Sequence, residues 1–279
     1  MARIPRITVP GLPHFVTQRG NRNQPIFFEP ADYVLYRDLL AGRCRQAPVE
    51  VWAYCLMPNH VHLILVPSTS DGLARAIGET HRKYTAFVNA RARCTGHLFQ
   101  ARFASVVMDE DHLLPAVQHL ALNPVRASLV ARAQDWPWSS VAAHLAGRDD
   151  ALVRVAPLTK RTRRFSDLIA AEGDCAAVAR LRAAETTGRP VGSEEFITLL
   201  EKLLHRPLRP QKPGRKPKAA IESQDRRGGE AALPSAVHSA RYMSTATFCT
   251  SADSSQEGPQ GNGSWSITWA GHNGWHRAQ

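Results

Sequence analysis

The chain has 279 residues, and 35 Lys+Arg against 24 Asp+Glu give a formal charge of +11. That length supports one substantial core with a small addition, and that charge favours a polyanionic partner, nucleic acid first. The five cysteines are odd in number, far apart and without a CxxC pair, which argues against a disulfide scaffold or a zinc ribbon and fits a reducing compartment. No apolar run approaches the roughly 20 residues of a membrane span, and MARIPRITVPG lacks the apolar stretch of a signal peptide. The expectation is a soluble, cytoplasmic protein with no membrane contact.

Arg3 to Pro13 reads as a basic, proline-punctuated arm. His14 to Arg19 alternates and carries β-formers, which predicts a first strand ended by Gly20-Asn21. Pro30-Ala31-Asp32 opens a helix to about Arg45, with Tyr33, Tyr36, Leu39 and Leu40 at amphipathic spacing. Val51 to Cys55 and His60 to Val66 predict two strands joined by a turn at Met57-Pro58-Asn59. Asp71 to about Ala92 predicts a second helix, broken by Gly96, and Gln100 to Met108 a fourth strand. The order β-α-β-β-α-β is the split βαβ, ferredoxin-like arrangement of the α+β class: a four-stranded antiparallel sheet with both helices on one face. A third helix, capped by Asp109 or Asp111, runs to about Leu122 and stops at Asn123-Pro124. In DWPWSS at 135–140, Ser139 or Ser140 caps a further short helix.

From Val155 the character changes. Residues 1–150 read as the main domain and 151–205 as a small helical appendage. Residues 206–219, basic and proline-rich, suit an extended phosphate-binding tail. Residues 220–279 show no periodicity and read as disordered.

His60-Val61-His62 is the most informative pair. Residues two apart on a strand share a face, so both imidazoles project from the open face of the sheet. Two neutral imidazoles there can hold a divalent cation and leave positions for a third ligand and a substrate oxygen. The plainer alternative is one packed and one solvated histidine.

MPNHVHLILV at 57–66, GHLFQARF at 96–103, LNPVRASLV at 122–130 and DWPWSS, in that order, resemble the REP-associated tyrosine transposases, of the single-tyrosine HUH transposase family. The resemblance covers about Pro5 to Ala146 and extends over the helical segment to Lys218. It implies that His60 and His62 hold Mg²⁺ or Mn²⁺ and that Asn123 supplies a third ligand through its amide oxygen. It further implies cleavage and strand transfer on single-stranded or hairpin DNA in DNA transposition, through a tyrosine one helical turn before Asn123, and a monomer or homodimer. Four residues before Asn123 this chain has His119, not tyrosine. The spacing suits two groups facing one metal, roughly 6 Å apart on a helix face, but the nucleophile is changed, and Pro115 in the same helix lacks an amide proton.

Candidates for DNA contact are Arg19, Asn21, Arg22, Arg82, Lys83, Arg102 and Arg126, near the ends of elements bordering the histidine face. Trp52, Phe99, Trp136 and Trp138 are candidates for base stacking, but DWPWSS reads rather as pinning the last helix to the core. Tyr84 and Tyr54 read as packed residues rather than substitute nucleophiles. Three readings stand: a DNA strand-transfer enzyme, a hairpin-DNA-binding protein of the same descent without cleavage, and an unrelated metal-dependent hydrolase. Ile64, where a histidine triad would place its third histidine, disfavours the last.

Overall fold

The computed structural model describes residues 6–210. Four strands, β1 (His14–Arg19), β2 (Val49–Met57), β3 (His60–Pro67) and β4 (Ala104–Val107), form one sheet in the order β2-β3-β1-β4. Every pairing is antiparallel. Helices α1 (Pro30–Gln46) and α2 (Gly72–Arg91) carry the two crossovers. This is the α+β, split βαβ fold that the order of predicted elements implies. Gly20 ends β1 where the chain folds back so closely that a Cβ would meet the Gln24 carbonyl.

Strand alternation divides the core in two. Val16, Val61, Leu63 and Leu65 face α1 and α2, where Tyr36, Leu40, Ile77 and Tyr84 are buried. Phe15, Ile64 and Val106 face the opposite way. A register shift between Val51 and Ala53 turns both Trp52 and Ala53 toward that second side.

The second face is not open, as the sequence suggested. It is covered by α3 (Glu110–Ala121), α7 (Phe165–Ala170) and α8 (Cys175–Thr187), through Leu113, Val117, Leu120, Phe165, Leu181 and Ala184. Gln118 ties α3 to α7 by donating to the carbonyls of Leu168 and Ala171, both at 2.8 Å. α4 (Asn123–Arg126) follows α3 almost directly, then come α5 (Val141–Ala146), α6 (Ala156–Thr159) and α9 (Glu194–Leu204). Residues 151–205 therefore complete a layer over the sheet, and α9 packs its Leu200 on Ile7 and Val9 of the N-terminal arm.

Both sheet edges are capped. Leu56 N–H donates to the Trp138 carbonyl and Ser140 N–H to the Tyr54 carbonyl along β2, while Val191 pairs with the outer edge of β4. Such capping removes a template for edge-to-edge aggregation. DWPWSS thus serves the fold: Trp136 Nε1 donates to the Leu56 carbonyl and Trp138 stacks on Tyr33 at 4.7 Å. The Ser140 hydroxyl bonds β2 backbone and not the helix it precedes.

Three further expectations change. β4 begins at Ala104, not Gln100, because Ala101 takes a left-handed φ of 54° and the chain turns Phe103 into the core. α3 runs through Pro115 without a break. Arg209, in the expected phosphate-binding tail, pairs with Glu194 and Glu201; residues 211–219 of that tail, and all of 220–279, lie outside the described residues.

Asp32 locks the start of α1. Its buried carboxylate accepts from the Phe28 N–H at 2.8 Å and from Arg91 at 2.6 and 2.8 Å. Burial alone pushes this carboxyl up, but Arg91 and the amides of Phe28 and Glu29 outweigh it and hold it below the usual range. A depressed folded pKa means that the contribution is present above the unfolded value, about 4, and lost as pH falls through the folded one. Asp32→Asn should lower stability at neutral pH by about 2–3 kcal/mol, read as a urea midpoint. The gap to wild type should close below about pH 4; an unchanged midpoint at neutral pH would contradict this.

Candidate functional site

His60 opens β3 immediately after the turn, at the end of the sheet. Asn59 sets its ring: the amide nitrogen of Asn59 donates to Asn23 Oδ1 at 3.0 Å, which turns Asn59 Oδ1 toward His60 Nδ1 at 2.6 Å. A carbonyl oxygen can only accept, so Nδ1 carries the hydrogen and Nε2 keeps its lone pair. Asn123, the first residue of α4, places its amide nitrogen 3.3 Å from that Nε2.

His62 is 3% exposed. It stacks on Phe15 with ring centroids 5.4 Å apart, meets His60 edge-on at 4.7 Å and His119 at 5.9 Å. Its Nδ1 is buried without any hydrogen-bond partner. A buried polar atom left unpaired costs about 1–3 kcal/mol, which folding alone has no reason to keep at this position. His119, 4% exposed, lies on α3 with Nδ1 accepting from Arg126 Nη2 at 2.8 Å; the same guanidinium bonds the His119 carbonyl.

All three imidazoles are held neutral. Burial first, then Arg19, lowers His60 to about 4. Burial, then the charges of Arg126, Arg182 and His60, lowers His119 to about 4. Burial and its neighbours His60, His119, Arg19 and Arg126 push His62 well below its ordinary value. Neutral imidazoles present lone pairs, while the arginines around them make the site attractive to anions.

Among the described residues, no group of three or more His, Cys, Asp or Glu side chains is placed to hold a metal ion. The third donor available beside the histidines is an amide, that of Asn123. Two ligands each about 2.1 Å from a cation at tetrahedral to octahedral angles lie about 3–3.4 Å apart, and the 3.3 Å between His60 Nε2 and the Asn123 amide fits that spacing. The amide oxygen and nitrogen exchange places by a simple flip. The donor set of two imidazoles and one amide, with an unpaired nitrogen on His62, fits a divalent cation.

The expected DNA-contact residues divide into groups. Arg19 pairs in register with His60, and Arg126 touches His119, so both join the site. Asn21 and Arg22 form an exposed 3-10 turn beside the β2–β3 turn. Arg102 is exposed in the loop before β4 and shares a cleft with Arg19. Arg82 and Lys83 lie on α2, across the sheet from the histidines, and Arg82 is engaged by Glu79 at 2.8 Å. Arg182 and Glu185, both on α8, were missed in the sequence. They sit in an alanine-rich helix whose sequence carries little amphipathic signal around Leu181 and Ala184, and nothing local shows that it packs on the sheet.

Residues 12–119 match the model of the family described as Transposase IS200 like. The match spans less than half of the chain. The chain is 26% identical over 121 residues to a REP-associated tyrosine transposase of Haemophilus influenzae, covering 39% of this chain and 69% of that protein. It is 24% identical over 127 residues to one of Escherichia coli, covering 45% and 72%. A solved structure of a REP-associated tyrosine transposase bound to a REP hairpin overlays with a TM-score of 0.46 and 22% identity, over 56% of this chain and 93% of that one. The matched segment contains His60, His62 and His119, while Asn123, Arg126, Arg182 and Glu185 follow it.

The orphaned nitrogen of His62 generates a test. His62→Leu removes an unsatisfied buried atom and the His–Phe15 stack, terms of opposite sign and each about 1 kcal/mol. Its thermal midpoint should match or exceed that of the wild type. A drop of more than about 2 kcal/mol in unfolding free energy would show that the imidazole is there for the fold.

Proposed function

We propose that this chain is a transposase-descended protein that binds hairpin DNA with a single-stranded flank at the face carrying His60 and His62, and that it lacks tyrosine-driven cleavage. The observation that carries the second half is His119. With Nδ1 accepting from Arg126, the ring hydrogen sits on Nε2, so neither nitrogen offers a free lone pair to a phosphorus atom.

No described tyrosine replaces it. Tyr36, Tyr54 and Tyr84 are buried on the α1/α2 side of the sheet, with hydroxyls bonded to His81, Asp150 and the Ile26 carbonyl. Tyr33 is buried in the same cluster, stacked between Phe27 and Trp138.

Support for DNA binding comes from the family and from the site's charge. Arg19 and Arg126 stand beside the neutral histidines, placed to neutralise a phosphate while Asn21 and Arg22 meet the backbone further along. His60, His62 and Asn123 would hold Mg²⁺ or Mn²⁺, which supplies Lewis-acid polarisation of a phosphate oxygen. The HUH pair then serves to orient a phosphodiester, with Asn59 fixing the tautomer of His60 and Phe15 fixing the plane of His62.

The test is a Mn²⁺ assay on single-stranded DNA bearing hairpins from the gene's own flanks, scoring nicks and covalent adduct on a denaturing gel. The wild type should bind but not cut, and His119→Tyr should regain a covalent adduct. Cutting by the wild type with an acid-labile adduct would make His119 a nucleophile and overturn the proposal.

A further inference from the structure

Between the end of α5 and the connection from α6 to α7 lies a cavity of about 390 Å³, lined by His144, Thr159, Thr162, Arg163, Arg164 and Ser166 among others. That volume is within the range of small-ligand sites, about 300–1,000 Å³. The cavity is separate from the histidine site. His144 reaches β2 at Trp52, whereas Met57 is the residue of β2 that meets His60, about 16 Å further along the strand. All of its lining residues lie beyond residues 12–119, the segment that the family model matches.

The wall divides into cations and acceptors. Among the described residues, the exposed Arg163 and Arg164 pair with no carboxylate, and no Asp or Glu lines the cavity. His144 is 6% exposed. Its ring stacks on Phe165 at 4.5 Å, and its Nε2 lies 3.0 Å from the Trp52 carbonyl oxygen. That oxygen only accepts, so Nε2 carries the hydrogen, and Nδ1 keeps a lone pair without a partner among the described residues. Burial keeps the ring neutral, against the Trp52 carbonyl and the charges of Asp150 and Asp149. The hydroxyl hydrogens are committed as well. Thr159 donates to the Val155 carbonyl, Thr162 to the Arg164 carbonyl and Ser166 to the Asp167 carboxylate, each at 3.2 Å. Their oxygens still offer lone pairs.

We propose that this cavity binds a phosphorylated, hydroxyl-bearing small molecule, a sugar phosphate or a ribonucleotide. Its phosphate meets Arg163 and Arg164, which supply charge-assisted N–H donors. Its hydroxyls donate to His144 Nδ1 and to the threonine and serine oxygens, so both halves of the wall are used at once. Inorganic phosphate meets the arginines and leaves most of the acceptors idle. A DNA strand brings phosphate, but its sugar oxygens are held in ester or ring linkages except at the chain ends, so it has no hydroxyls to give.

The experiment treats the full chain with phenylglyoxal, which modifies exposed arginines, and reads each arginine by mass spectrometry. The ligand used is ribose 5-phosphate, the part that sugar phosphates and ribonucleotides share. At about ten times its dissociation constant it should slow modification of Arg163 and Arg164 about tenfold, as mass action requires. Exposed Arg45 on α1 should react as before. Inorganic phosphate should protect the pair only at higher concentration, and an oligothymidine of equal phosphate content should not protect it. His144→Gln keeps an amide donor for the Trp52 carbonyl but removes the Nδ1 acceptor. It should weaken ribose 5-phosphate about five- to tenfold, the worth of one hydrogen bond, and leave the affinity for inorganic phosphate unchanged. Thr159→Val, at an exposed position, makes the same comparison if the His144 variant unfolds. Equal affinity for inorganic phosphate and ribose 5-phosphate, protection by the oligothymidine as strong as by the sugar phosphate, or no protection at all overturns the inference.

Discussion

The antiparallel pairing of β1 with β3 at the centre of the sheet is the constraint on which the rest depends. Because side chains alternate, this one register sends Val16, Val61, Leu63 and Leu65 into the α1/α2 core and Phe15 and Ile64 into the other. It also sets Thr17 beside His62 and Arg19 beside His60. A slip of one residue would exchange the two faces, burying the histidines under α1 and α2. The apolar runs on both sides of the strands therefore hold the chemistry in place.

The site joins two requirements that usually conflict. Burial keeps the imidazoles neutral, with His60 and His119 near 4, while Arg19, Arg126 and Arg182 make the surroundings cationic. The result is a pair of neutral imidazoles, His60 and His62, inside a positive field that does not depend on pH across the physiological range. The same field would favour the ionised form of a phenol placed at 119. In this chain that position holds an imidazole tied to Arg126.

Much of the fold was legible because its strands and turns carry local signals. β1 and the start of β3 fall where alternation and the Met57-Pro58-Asn59 turn place them, and both crossover helices begin within a residue of Pro30 and Asp71. β4 was overextended because an alternating pattern continues through Gln100–Phe103 although Ala101 turns the chain. Covering of the histidine face was not legible: the sequences of α7 and α8 do not state which surface they meet. Hence Arg182 and Glu185 escaped notice, whereas the packing role read for DWPWSS is what Trp136 and Trp138 perform, at the edge of β2. That His60, His62 and Asn123 come together was readable through spacing and family resemblance, whereas the Asn59–His60 and Arg126–His119 bonds needed the structure.

The central claim is that a shaped site, and not the net charge of +11, selects the DNA. It is tested most directly by comparing equilibrium affinities for a hairpin with an unpaired flank and for a duplex of the same length and composition, at about 0.15 M salt. The account predicts that the hairpin binds at least about tenfold more tightly, a preference of about 1.4 kcal/mol. Equal affinities, falling together as salt rises, would mean that phosphate neutralisation alone drives binding and would contradict it.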